Sequence, residues 1–419
     1  MRTLTVSRFS CISEATLPIA PITLLIGPQA SGKSVLCKLC HFCCGLLNEQ
    51  VQSISELASA SDYADVICDK FLRWFPVETW GGEQFEIRFS FGEHEIKIRR
   101  SLSKKRPGKT VRVTLCKSLL AHYENSLVRM KEAMADKAKA HENIDISSEH
   151  WQVRRFIREE LSRLLGADFV SSQLFIPAGR SFFTSIGKAI AAFEKSTLLD
   201  PVTLDFGNIY YGAIRFLHFH PSQDKEIAAL IAKTKSRMLG GHLLRERDRE
   251  VVKTSDGRMI PLSTLSSGQQ EIFPLLQVLP LTFAKEYKRI IYVEEPEAHL
   301  FPDAQSELIE LLSTLVNLYK KSASMVITTH SPYVLSKFNN LLKAGQVGSS
   351  RSKAARVGEI TRRNSWIPKG DLRAFAICDG KLLNIIDPDG LINGDYLDQI
   401  SNGIANEFSQ LLGVEFAKS

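Results

Sequence analysis

The run Gly27-Pro28-Gln29-Ala30-Ser31-Gly32-Lys33-Ser34 has the glycine, lysine and hydroxyl spacing of a phosphate-binding loop. A loop of this kind turns successive backbone N–H groups inward, and side chains at the glycine positions would fill the nest. The candidate nucleotide contacts are therefore Gly27, Gln29, Ala30, Ser31, Gly32, Lys33 and Ser34. Lys33 is expected to bridge the β- and γ-phosphates, and the Ser34 hydroxyl to ligate Mg²⁺. A second station stands at Ile290-Ile291-Tyr292-Val293-Glu294-Glu295-Pro296, an apolar strand ending in two acids. Neighbouring strand residues point to opposite faces, so the acids take different tasks. Glu294 is expected to face the metal and Glu295 to polarise a water attacking the γ-phosphate. His330, closing another apolar run at Met325 to Thr329, is placed to reach the same phosphate or its water.

These residues need elements to hold them. Strands are expected over residues 2 to 12 and Ile22 to Ile26, with a helix from Gly32 to about Leu47 behind the loop. Phe85, Ile87, Phe89 and Phe91 alternate with polar residues, a pattern repeated near 94 to 99 and 110 to 116, which predicts an antiparallel meander. Leu119, Leu120, Tyr123, Leu127 and Met130 recur at helical spacing, as do residues from Trp151 to Leu165, so a helical pair is inserted here. A strand returns at Leu174 to Pro177, and residues 241 to 262 predict a hairpin turning near Asp256 and Gly257. Strand, helix and strand then alternate from Arg289 to Thr328, the pattern of a parallel sheet. A closing helix is expected at the end of residues 371 to 419.

The chain has 419 residues, 44% of them hydrophobic and 24% charged, with a net charge of +7. It can bury a sizeable core, and its charge permits nucleic acid without requiring it. No apolar run approaches the roughly 18 residues of a membrane span, and the opening residues lack a signal-peptide layout. A cytoplasmic protein with no membrane association is expected. The 8 cysteines are then free thiols. Cys37, Cys40, Cys43 and Cys44 lie on successive turns of one helix, which cannot wrap a zinc ion, so they read as core. Asp387 and Asp389 precede Gly390 and read as a turn. The basic run Lys97, Arg99, Arg100, Lys104, Lys105, Arg106, Lys109 and Arg112 is either a solvated hairpin or a nucleic-acid contact, and Arg351 to Arg363 is equally open.

Leu265-Ser266-Ser267-Gly268-Gln269-Gln270-Glu271 read alone is a helix cap. It also resembles the signature loop of ABC ATPases, in the variant of SMC-like and OLD-like members. Phosphate loop, signature, paired acids, a D-loop-like Pro296-Glu297-Ala298-His299-Leu300 and His330 follow in that family's order. The resemblance implies an α/β ABC-ATPase head with a mixed central sheet, an antiparallel β subdomain, a short helical insertion and a small C-terminal extension. The units implied are 1–117 with the phosphate loop and meander, 118–165 as insertion, 166–345 with signature, acids and histidine, and 346–419 as extension. It also implies a homodimer or higher homo-oligomer in which Ser266, Gly268 and Gln269 of one copy cover nucleotide held by the other. Glu294 stands where many members have aspartate. No Q-loop glutamine follows Leu174 to Pro177, where Arg180 and Ser181 stand instead.

Phe175-Ile176-Pro177-Ala178-Gly179-Arg180-Ser181 and residues 294 to 302 are further similar to ATPase subunits of the bacterial antiphage systems Septu and PARIS and to retron-associated ATPases. That likeness implies ATP and Mg²⁺ as ligands and a separate effector partner, an HNH or TOPRIM nuclease or a toxin. A DNA-repair or recombination ATPase acting directly on DNA is the alternative.

Overall fold

The computed structural model describes residues 1–103, 106–140, 146–186, 189–190, 193, 198–216, 225–246, 249–282, 288–393, 406–407 and 409–411. Its strands are β1 (Arg2–Phe9), β2 (Ile12–Pro18), β3 (Ile22–Ile26), β4 (Glu86–Phe91), β5 (His94–Ser103), β6 (Arg106–Leu115), β7 (Ser172–Ile176), β8 (Gly241–Glu246), β9 (Arg249–Thr254), β10 (Met259–Pro261), β11 (Arg289–Glu294), β12 (Ala323–Thr329), β13 (Leu372–Cys378) and β14 (Lys381–Asn384). The helices are α1 (Lys33–Ser55), α2 (Ala60–Trp74), α3 (Lys117–Ala140), α4 (Ile146–Leu165), α5 (Ser181–Ile186), α6 (Pro201–Phe216), α7 (Lys225–Leu239), α8 (Ser267–Thr282), α9 (Pro302–Leu318), α10 (Pro332–Gly348) and α11 (Arg351–Ile360).

Eleven strands form one mixed sheet in the order β6-β5-β4-β1-β2-β14-β13-β3-β12-β11-β7. The strands β13, β3, β12, β11 and β7 run parallel, and the meander side, β1 and β2 with β4 to β6, is antiparallel. Parallel strands are covered on both faces, so they read as continuous apolar runs. Here Leu25, Ile290, Tyr292 and Val326 pack with α1. Leu24, Ile26, Ile291, Val293, Met325 and Ile327 pack on the other face with α8, α9 and α10. Each fully buried Leu or Ile contributes about 1.5–3 kcal/mol relative to exposure.

Several expectations change. The first strand is a hairpin: Phe9 pairs with Ile12, and Arg8 and Ser10 take left-handed φ of 56° and 55° at the turn. Helix α1 continues to Ser55 because Val51 and Ile54 keep its buried stripe going. Residues 241 to 261 form three strands, β10-β9-β8, rather than a two-stranded hairpin. Within the last segment, β13 lies between β3 and β14 inside the main sheet. Asp387 and Gly390 do form a turn, with Gly390 N donating to Asp387 O at 3.0 Å and Asp387 Oδ1 accepting from Leu391 N at 2.8 Å. The expected closing helix falls largely outside the described residues, as do Lys104 and Lys105. No helix among the described residues is long and apolar enough to cross a membrane.

Candidate active site at the carboxyl ends of the parallel strands

In register, Ile26 lies beside Thr329 and Ala376, Thr328 beside Glu294, and Val293 beside Ile176. The segments that follow β3, β11, β12 and β7 therefore emerge along one edge, the carboxyl ends of parallel strands where α/β folds place ligands. Residues 27 to 34 leave β3 there and enter α1. Gly32 has φ 105°, and a Cβ on it would lie 2.5 Å from Ile12 Cδ1 and 2.9 Å from Cys11 Sγ. A side chain is excluded twice over. A cleft beside the loop is lined by Cys11, Gln29, Ala30, Cys378 and Asp379.

Lys33 Nζ donates to the carbonyl oxygens of Gly27 at 2.7 Å and Pro28 at 2.8 Å. Burial lowers the pKa of its ammonium, against the carboxylates of Glu295, Glu297 and Glu294, which raise it. The expectation for the paired acids follows from strand parity. Ile290, Tyr292 and Glu294 share one parity, and the first two pack with α1, so Glu294 points toward the helix that carries Ser34. Glu294 is buried, its Oε2 accepts from Ala178 N at 3.4 Å, and Oε1 is buried without a protein partner. Burial raises its pKa, with the nearby Ser34 hydroxyl and Lys38 acting in the opposite sense. A buried carboxylate oxygen lacking a donor, beside a hydroxyl, is a donor set that fits Mg²⁺.

Glu295 is half-buried and leaves the strand at a left-handed φ of 41°. Its N–H donates to Thr328 O at 2.9 Å. His330 follows β12, and its Nδ1 stands 3.7 Å from both Glu295 Oε1 and Glu297 Oε1. Glu297, in the D-loop-like segment, is one of the most engaged acids here. Its Oε1 accepts from Thr329 Oγ1 at 2.7 Å and from His330 N at 2.9 Å, inside the core edge. Nothing in the sequence separates Glu297 from a solvated turn acid.

Ser266 precedes α8, and Gly268 and Gln269 lie in its first turn. Ser266 N and Oγ both donate to Gln269 Oε1 at 3.0 Å, and Gln269 N returns to Ser266 Oγ at 3.4 Å, a reciprocal helix cap. No hydrogen bond joins these residues to 27–34 in the same chain, all of which are described. A Cβ on Gly268 would lie 2.5 Å from His299 O, so the glycine permits close approach of α8 to the segment after Glu295.

Arg180 stands in the loop after β7, where no Q-loop glutamine is found. It is fully buried and faces Glu271 of α8, with Nε 3.6 Å from Glu271 Oε2. Gln173 on β7 is spent elsewhere, donating to His41 O at 3.1 Å and accepting from Tyr292 OH at 2.9 Å. The four cysteines of α1 are buried in the core. Of the basic run, Lys97 pairs with Glu95, Arg99 with Glu86, and Arg100 is buried, donating to Gly81 O and Glu83 O at 2.8 and 2.9 Å. Those three are structural partners rather than a free cationic face.

Fold and site together are those of an α/β P-loop protein. Residues 216–335, which hold the signature-like loop, both acids and His330, match the AAA ATPase domain family. No curated protein matches the chain. Among solved structures, the SMC head domain from Thermotoga maritima is 13% identical, with 92% of this chain and 98% of that one covered at a TM-score of 0.37. An SMC head bound to the C-terminal winged-helix domain of ScpA is 14% identical, over 91% and 96%, at 0.40. The SMC head with an extended coiled coil from Pyrococcus furiosus is 13% identical, over 96% and 99%, at 0.39.

Proposed function

We propose that the chain binds ATP with Mg²⁺ and hydrolyses it at residues 27–34, 294, 295 and 330, completed by residues 266–269 of a second copy. The observation that carries this reading is the convergence of Lys33, Glu294, Glu295 and His330 at one edge of the sheet. Lys33 exchanges the Gly27 and Pro28 carbonyls for the β- and γ-phosphates. Loop N–H groups and the amino end of α1 hold the β-phosphate. Ser34 and Glu294 would hold Mg²⁺, which offsets phosphate charge when bound. Glu295 polarises the attacking water and takes up its proton. His330, fixed through its backbone by Glu297, stands beside that water. Residues 266–269 make their hydrogen bonds to their own cap and to Leu239 rather than to residues 27–34, which is compatible with a site shared between copies.

At a finer level, the likeness of residues 175–181 and 294–302 to antiphage ATPases supports a defence subunit that senses infection and controls a separate nuclease or toxin. The test of the chemistry is Glu295→Gln, which should retain ATP affinity, abolish phosphate release and accumulate a nucleotide-bound dimer by size exclusion. Turnover at the parental rate would remove Glu295 from its role. Hydrolysis strongly stimulated by DNA with the purified chain alone would favour the repair alternative over effector control.

A further inference from the structure

We infer that Arg180 is a positioning residue for Glu295, and that Glu271 ties it to the helix carrying the signature-like loop; this rests on the function proposed above. Arg180 leaves the loop after β7 and is fully buried. Its guanidinium donates to four backbone carbonyls on three elements. Nη1 reaches Pro177 O at 2.9 Å and Glu294 O at 2.7 Å, Nη2 reaches Glu295 O at 3.1 Å, and Nε reaches Glu271 O at 3.1 Å. Glu271, 2% exposed, closes the arrangement by accepting from Arg180 N at 2.9 Å and Ser181 N at 3.2 Å.

The carbonyls chosen give the residue its meaning. Those of Glu294 and Glu295 belong to the two peptides on either side of the Glu295 Cα, where the chain takes a left-handed φ of 41°. Such a conformation persists where surrounding contacts over-determine it. Thr328 O fixes the N–H of Glu295 and Arg180 fixes its C=O, so the direction of the carboxylate is set from both sides of one residue. Glu271 lies one turn beyond Gly268 on α8. A rotation of α8 when residues 266–269 engage nucleotide on the partner copy would be carried by Glu271 to Arg180, and by Arg180 to Glu295. Only a planar fork of five donors spans these acceptors, and a lysine ammonium cannot.

The test uses the full chain with Arg180→Lys, which keeps a positive charge facing Glu271 so that the fold is retained. ATP affinity and KM should stay within about twofold while kcat falls by about tenfold or more, the pattern of an interaction made for the transition state. Glu271→Gln, which removes the countercharge but keeps an acceptor, should reproduce the split with a smaller loss. Mixed dimers locate the effect. Arg180→Lys chains mixed with Ser266→Arg chains retain one site with a sound loop, sound acids and a sound signature, so turnover should reappear. Mixed with Lys33→Ala chains, the single usable loop shares its chain with the altered arginine, and turnover should stay low. Unchanged kcat in Arg180→Lys, a KM that rises in step with lost thermal stability, or equal behaviour of the two mixtures would overturn the inference. A parental chain that binds ATP without turning it over would instead overturn the functional reading, and this inference with it.

Discussion

Gly268→Ala is a small perturbation with a worked consequence. The added methyl carbon would sit 2.5 Å from His299 O, and carbon to carbonyl-oxygen contacts begin near 3.3 Å, so about 0.8 Å must be made up by movement. Overpacking of this kind costs about 1–3 kcal/mol, and alanine returns up to about 1 kcal/mol of helix propensity. The net loss, about 0–3 kcal/mol, is within what a folded domain of this size tolerates. The displacement falls on the tight segment in which Ala298 N donates to Glu295 O at 3.0 Å and Leu300 N to Glu297 O at 2.9 Å. A misplacement of about 1 Å in a reacting geometry costs on the order of 100-fold, so kcat should drop by about 10- to 100-fold. The phosphate loop is untouched, and nucleotide affinity should hold within about twofold. Gly358→Ala is the control: it lies on exposed α11 with nothing within 4 Å of its Cβ, and should keep full activity with equal or greater stability. Phosphate release, binding of a fluorescent nucleotide and urea unfolding read the three quantities. Parental kcat in Gly268→Ala would refute the packing argument.

Lys33→Ala and Ser266→Arg chains should each be inactive alone and regain partial turnover when mixed, because one composite site is then intact; heterodimers without activity would refute the shared site. His41 is stacked against Trp74 at 5.4 Å and burial pushes its pKa down to about 3. The unfolded chain binds a proton near the ordinary value of about 6.5 that the folded chain refuses, so this group costs about 1.4 kcal/mol of stability per pH unit as pH falls from about 6.5 toward 3. His41→Phe should flatten that part of the urea-stability profile, and an unchanged slope would show that the acid sensitivity arises elsewhere.

The placement of residues 27–34 and Glu294 was legible because it follows from local rules: a spacing that suits a strand–loop–helix turn, and a period of two that assigns a face. Glu297 and Arg180 were not. Their significance lies in partners 33 and 91 or more residues away in the chain, and a single acid or arginine in a loop has no periodicity to betray it. The helices α6 and α7 had no assignment in the sequence. Strand β13 lies in the segment assigned to an extension, and nothing in its sequence shows that its neighbours are β3 and β14. Leu265 to Glu271 carried two meanings, cap and signature, and its geometry satisfies the first without opposing the second.

The position of β13 has a consequence for how the protein comes into being. The strand that launches the phosphate loop, β3, pairs on one side with β12 and on the other with β13, both synthesised long after it. A nascent chain emerging from the ribosome holds β3 as an apolar ribbon with both edges bare, the state most open to mispairing with other chains. It cannot be sealed until residues 372–378 have been made, so most of the polypeptide must wait for its late strand before the nucleotide edge exists. The distance in sequence between β3 and its two neighbours makes this a long-range closure, which topology makes slow.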